Sequence, residues 1–289
     1  MMPFCHHFST FAITALGLVF AGAAFAGPPG SSEPPLVAGR KILPPAVDLK
    51  PIFQSYHLSV RRQGPRGTCS VFAVTHALEY ALAVKNNQGV PMSVEFLNWA
   101  GHETAGRAAD GGFFSELWNG YEKHGVCPEE LLPYQQTYNH ELPITTDVAA
   151  KAKEALSPRV GLHWIKEWDP HTGLTETQLQ AVKSALVRRW PVLGGFRWPK
   201  APVWNAGLLQ MCAAEDVFDG HSVLLSGYQD DPAQPGGGYF LIRNSGGDGP
   251  DGKMPYAYVA AYMNDAAFIS VLNKTPPILP TNPVKPVSP

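Results

Sequence analysis

Three residues far apart in the chain have the types and surroundings to do nucleophilic chemistry together: Cys69, His221 and Asn244. Cys69 ends the run Gln63-Gly-Pro-Arg-Gly-Thr-Cys69, and a helical pattern begins directly after it, so its thiol belongs at a helix N-terminus. There the unpaired backbone N–H groups and the positive end of the helix dipole favour thiolate over thiol, which makes a cysteine nucleophilic near neutral pH. A single cysteine is more often a small buried hydrophobe, and its companions argue against that here. His221 follows Asp219-Gly220 and opens the run Ser222-Val-Leu-Leu-Ser-Gly-Tyr228, while Asn244, 23 residues later, closes the run Tyr239-Phe-Leu-Ile-Arg243. A base at the start of one strand and an amide at the end of its hairpin partner can meet across the ladder, the amide oxygen holding the second ring N–H. The other histidines sit in polar stretches or helical patterns; His76, for example, falls inside the first helix.

The elements that must position these groups are helical first and extended later. From Ser70 to about Lys85 the apolar residues Val71, Val74, Ala77, Leu78, Ala81 and Leu82 recur every three or four positions, predicting a helix with one buried face. Further helical patterns cover Val94 to His102 and Phe114 to His124. A fourth starts at the capping-box sequence Thr175-Glu-Thr-Gln178 and runs to Arg189, before Pro191. Short β-rich runs follow: Pro191 to Phe196, Ser222 to Tyr228 and Tyr239 to Arg243, the last two joined by a turn rich in Asp, Pro and Gly from Gln229 to Gly238. Helices followed by strands predict an α+β architecture, a helical lobe facing a sheet lobe.

Of 289 residues, 45% are hydrophobic and 16% charged with a net charge of -2, which fits a globular protein and excludes the charge excess that nucleic acid or an anionic membrane would demand. Residues Phe11 to Phe25 form a largely apolar run ending in Ala24-Phe25-Ala26, read as a signal peptide over residues 1–26, although its leading segment carries no Lys or Arg. An uncleaved anchor is the competing reading, with about 20 apolar residues wanted for a span. Cleavage places the product in the periplasm or outside the cell, with no stable membrane insertion. Six prolines between Pro28 and Pro45 mark residues 27–45 as an extended arm, and six more in the last fourteen residues mark 275–289 as a tail, leaving 46–274 as the folded domain.

With these blocks in view, the chain resembles the papain-like cysteine peptidases over most of residues 43–272. Leu43-Pro-Pro-Ala-Val-Asp48 resembles the start of the mature enzyme, Gln63-Gly-x-x-Gly-x-Cys69 the nucleophile motif, and Asp110-Gly111-Gly112 the glycine strand that receives substrate backbone. Gly125-Val-Cys-Pro-Glu-Glu-Leu-Leu-Pro-Tyr134 is similar to a segment closing the helical lobe of bacterial members. His221 to Tyr228 and Arg243-Asn-Ser-Gly-Gly247 look like the histidine and asparagine motifs, in the family's order. The separation of Cys69 from His221, 152 residues, agrees. The resemblance implies a two-lobe papain-like fold with a cleft between the lobes, and a peptide or protein as substrate. It implies Cys69 as nucleophile, His221 as general base and then acid, and Asn244 as the residue orienting the imidazole. Gln63 would donate to the oxyanion with the Cys69 backbone N–H, and Gly111 and Gly112 would align the substrate backbone. No cofactor is implied, and no metal: the cysteines lack zinc-ligand spacing. Nothing in the sequence speaks to the oligomeric state.

The chain also departs from the family pattern. The family usually carries a cysteine three residues before the nucleophile, bridged to one downstream; Arg66 stands there instead. Ser70 replaces a common tryptophan, and Gly246 replaces the tryptophan that shields the asparagine–histidine bond, so that another aromatic, such as Trp204 or Trp99, would have to supply the shield. Only about 16 residues lie between Ala26 and Leu43, too few for a helical inhibitory propeptide. Cys5 would leave with the signal peptide. Cys127 and Cys212 form a bridge in one reading and remain two separate thiols in the other. Besides the peptidase, two further activities stay open: a papain-fold acyl transferase or deamidase effector, and a peptide-binding pseudoenzyme.

Overall fold

The computed structural model describes residues 43–246 and 251–278. The expected signal peptide, most of the Pro-rich arm and the tail beyond Ile278 lie outside them. Along the chain, strand β1 (Ala46–Asp48) leads into helix α1 (Lys50–Ser55), then α2 (Cys69–Asn86), α3 (Val94–Ala105), α4 (Phe114–His124) and α5 (Thr146–Lys153). Strand β2 (Val160–Lys166) and helix α6 (Glu176–Val187) precede β3 (Val192–Pro199), β4 (Trp204–Asn205), β5 (Leu208–Leu209), β6 (Val217–Asp230), β7 (Gly238–Arg243) and β8 (Asp251–Pro255). Helix α7 (Tyr256–Tyr262) and strand β9 (Met263–Val271) close the fold. The strands make one sheet in the order β2-β9-β3-β6-β7-β8-β5-β4, with β1 added to β6.

Local signals set several of these boundaries. Ser93 caps α3 by accepting the Phe96 N–H, and Gly106 ends it in the left-handed conformation at φ 68°. Thr175 and Gln178 form the capping box expected for α6: the Thr175 hydroxyl accepts the Gln178 N–H at 3.2 Å and the Gln178 side chain accepts the Thr175 N–H at 2.9 Å.

The long helix α2 departs from expectation. Every residue from Cys69 to Val84 is buried, because α3 and α4 cover one side while β3, β6 and β9 cover the other. Its second face therefore carries buried polar groups that need partners. Glu79 receives Arg61 at 2.7 Å and the Met92 N–H at 3.0 Å, and Arg61 also reaches Glu129 at 2.9 Å. The main hydrophobic core runs without a break from α1 and α2 into the sheet.

Strand content also exceeds the sequence reading. β6 begins at Val217, so His221 lies inside a strand rather than at its start. β2 and β9 escape the alternation test: β9 is buried at every position because β2 and β3 flank it, which leaves no polar face to mark it.

Cys127 and Cys212 carry separate thiols, not a bridge. Cys127 packs with Phe96, Ala100 and Ala152 in a small cluster of its own. Cys212 packs against the main core, where its carbonyl accepts the Tyr262 hydroxyl at 2.9 Å. Each side chain is held in a different hydrophobic cluster.

Candidate active site

Cys69 is the first residue of α2, with 5% of its surface exposed. Its thiol contacts the Gly220 carbonyl at 3.8 Å, which brings it against the residue preceding His221. β6 and β7 pair as an antiparallel hairpin, Leu224 opposite Arg243, so the residues flanking that pair, His221 and Asn244, fall at the same end of the ladder. The Asn244 side-chain oxygen accepts from His221 Nε2 at 2.9 Å and also from the Gly246 N–H at 3.0 Å. An amide oxygen can only accept, so Nε2 carries the proton and a neutral ring has Nδ1 as its basic nitrogen.

Gln63 is buried beside them. Its side-chain nitrogen donates to the Arg66 carbonyl at 2.9 Å, and its oxygen accepts the Ser245 hydroxyl at 2.8 Å. The Gln63 N–H donates to the Ser245 carbonyl at 2.9 Å, which fastens the loop before Cys69 to the residue after Asn244. A side-chain amide has two N–H bonds; the second is not needed by Arg66.

The two glycines are held differently. Gly111 has φ +77°, and a Cβ there would lie 2.4 Å from the Gly67 carbonyl oxygen, so both backbone conformation and close approach require glycine. Its N–H donates to Asn98 at 3.1 Å and its carbonyl meets His102 Nε2 at 2.8 Å. Burial pulls the His102 ring below the ordinary histidine range, with the Gly111 carbonyl opposing. Its neutral tautomer gives Nε2–H to Gly111 and takes the Tyr138 hydroxyl at Nδ1, at 3.3 Å. The Gly112 N–H donates to the Ser70 hydroxyl at 3.2 Å.

Residues 43–268 match the family described as papain family cysteine protease. The chain belongs to that family. Among solved structures it is similar to xylellain, a cysteine protease from Xylella fastidiosa, at 22% identity and TM-score 0.63 over 80% of this chain and 87% of that one. It is similar also to digestive procathepsin L 3 of the Tenebrio molitor larval midgut, at 20% identity and TM-score 0.59 over 81% and 72%. A ragweed pollen cysteine protease in its proform aligns at 19% identity and TM-score 0.57 over 81% and 67%. At these identities the likeness is one of fold. No curated protein matches the chain.

Against the papain family pattern, two departures have structural answers. Where Gly246 brings no ring, Trp198 of β3 stands edge-on to His221 with centroids 4.4 Å apart. Neither tryptophan expected from the sequence does this: Trp99 packs on Phe96 and His124, and Trp204 lies behind Trp198 at 6.4 Å. Trp198 lies two residues along β3 from Phe196, the register partner of His221, and the β3–β6 register shifts between Phe196 and Arg197, a bulge with no local sequence signature. Arg66 is the second answer. Its guanidinium is buried between Glu95 and Asp110. The first contact of that set, Asp110, adjoins the glycine pair and was the one visible signal that could have pointed to it.

Proposed function

We propose that this papain-family protein is an exported cysteine peptidase that hydrolyses peptide bonds through an acyl-thioester. The observation that carries the reading is the His221–Asn244 hydrogen bond at 2.9 Å beside a Cys69 thiol that abuts Gly220. Nδ1 of His221 takes the thiol proton, and the sulfur attacks the scissile carbonyl carbon. The carbonyl oxygen becomes an oxyanion, held by the second Gln63 side-chain N–H and the Cys69 backbone N–H at the start of α2. His221 then protonates the departing amine, the thioester remains on Cys69, and a water deprotonated by the same ring releases the acid. Gly112 aligns the substrate backbone; Gly111 has both backbone groups engaged within the protein. The apolar run ending at Ala26 supports export.

Labelling the mature chain with a thiol-directed peptidase inhibitor, with and without reductant, and mapping the modified residue tests this. Modification at Cys69, with turnover lost in Cys69→Ala, is the expected result. Peptide binding with no turnover in the wild-type chain would make it a pseudoenzyme, and transfer of the acyl group to added amine would make it a transferase. N-terminal sequencing of the mature protein, expected to begin at Gly27, tests the export signal.

A further inference from the structure

Three residues before Cys69, the Arg66 side chain is buried, with 4% of it exposed. Asp110 grips the guanidinium in a fork, Nε to Oδ2 at 3.0 Å and Nη2 to Oδ1 at 2.7 Å. Nη1 donates to Glu95 at 2.6 Å and to the Gln135 carbonyl at 2.7 Å, and the rings of Tyr134 and Tyr138 flank the group at 4.7 and 5.5 Å. Burying ions costs several kcal/mol each unless geometry and hydrogen bonding are nearly complete, and here the donors facing Asp110, Glu95 and Gln135 are all used. Burial works against the charge, yet the bonds and charges of Asp110 and Glu95 outweigh it and raise the Arg66 pKa.

The partners are placed to act on the site. Glu95, Asn98 and His102 follow one another at three and four residues on α3 and share a face. Glu95 holds Arg66, Asn98 donates to Asp110 at 3.1 Å and accepts from Gly111, and His102 donates to the Gly111 carbonyl. The backbone of Arg66 meanwhile receives the Gln63 side chain. One residue therefore joins the loop that carries Gln63 and leads into Cys69 to the irregular segment carrying Gly111 and Gly112, with α3 as the support.

We propose that Arg66 is a positioning residue that fixes the spacing between the reacting thiol with its oxyanion donors and the glycine segment that aligns the peptide, a role that rests on the peptidase reading. Extended peptides, which must satisfy both ends of that spacing at once, depend on Arg66. A reagent that touches only Cys69 does not.

The test compares wild type with Arg66→Lys, which keeps the charge but loses the fork, and with Asp110→Asn, which weakens the fork from the other side. Three readouts are taken: kcat and KM on a peptide amide spanning three residues upstream of the scissile bond, the same on a single-residue ester, and the rate of Cys69 alkylation by iodoacetamide. In both variants kcat/KM on the extended peptide should fall about 10- to 100-fold, carried mainly by KM, while ester turnover and alkylation stay within about 2-fold of wild type. Equal loss on both substrates and in alkylation, tracking a lowered Tm, would mean a merely structural role and overturn the proposal; unchanged extended-peptide kinetics would overturn it too. Should Arg66→Lys fail to fold, Asp110→Asn decides by the same readouts. A wild-type chain that is alkylated at Cys69 but turns over neither substrate would count against the peptidase reading instead.

Discussion

The indole of Trp198 stands edge-on to the imidazole of His221, centroids 4.4 Å apart and ring planes 64° from parallel. The indole is 92% buried, with 8% exposed, and it comes from a strand neighbouring that of His221 rather than from the segment after Asn244. A buried ring against the imidazole is expected to limit water beside the His221–Asn244 bond, and water competes for such bonds. Trp198→Ala is expected to lower kcat about 10-fold, equivalent to about 1.4 kcal/mol, with KM little changed. Trp198→Phe should recover most of the loss. Steady-state kinetics of the two variants check this; a Phe variant as poor as Ala would show that the ring is not acting as a shield.

If Gly112 aligns the peptide as proposed, Ser70 competes with substrate. Its hydroxyl accepts the Gly112 N–H, the donor that a bound peptide carbonyl needs. A neutral hydrogen bond has a net worth of about 1 kcal/mol, so Ser70→Ala should lower KM for an extended peptide about 3- to 5-fold with kcat nearly constant. A rise in KM would mean instead that the hydroxyl keeps the strand in place.

Asp265 should set part of the pH dependence of stability. Burial pushes its carboxyl up to about 7, with Lys166 pulling the other way. An unfolded aspartate titrates near about 4, so between those values the folded state holds the extra proton. The stabilisation from this group is complete below about 4 and is lost as pH rises through about 7. The Tm difference between Asp265→Asn and wild type should therefore grow in favour of the variant from pH 5 to pH 8. Parallel Tm curves would refute the assignment.

The thiols should react in a fixed order. Cys127 is fully buried and pushed up to about 11 by burial, with the Ser93 side chain opposing. Cys212 is half-buried, and burial followed by the Asp216 charge raises its pKa. Titration of the native protein should modify Cys69 first, Cys212 more slowly and Cys127 only on unfolding, and reductant should leave Tm unchanged. A thiol that appears only after reduction would contradict separate thiols.

Much of the site is legible from short stretches of chain. The glycine-rich approach and the helix that starts at Cys69 are neighbours in sequence, and so are Thr175 and Gln178 at the α6 cap. His221 and Asn244 are joined by a hairpin with a turn-rich connection, whose pairing is set locally. Even the departures at Arg66, Ser70 and Gly246 can be seen against the family pattern, but what stands in for the missing groups cannot. Arg66 finds Glu95 and Asp110 at separations of 29 and 44 residues, and Trp198 finds His221 through the pairing of β3 with β6.

The amino-acid order alone thus determined the family, the α+β architecture and the reacting residue types, because caps, periodicity and hairpin turns act over a few residues. Tertiary structure alone decided that α2 is buried on every side, that Trp198 packs on His221, that Arg66 ties the loop before Cys69 to the segment holding Gly111 and Gly112 and that Cys127 and Cys212 stay apart. Each of those depends on strand register and helix packing accumulated over the whole chain, and a shift of one residue in register turns a side chain to the opposite face.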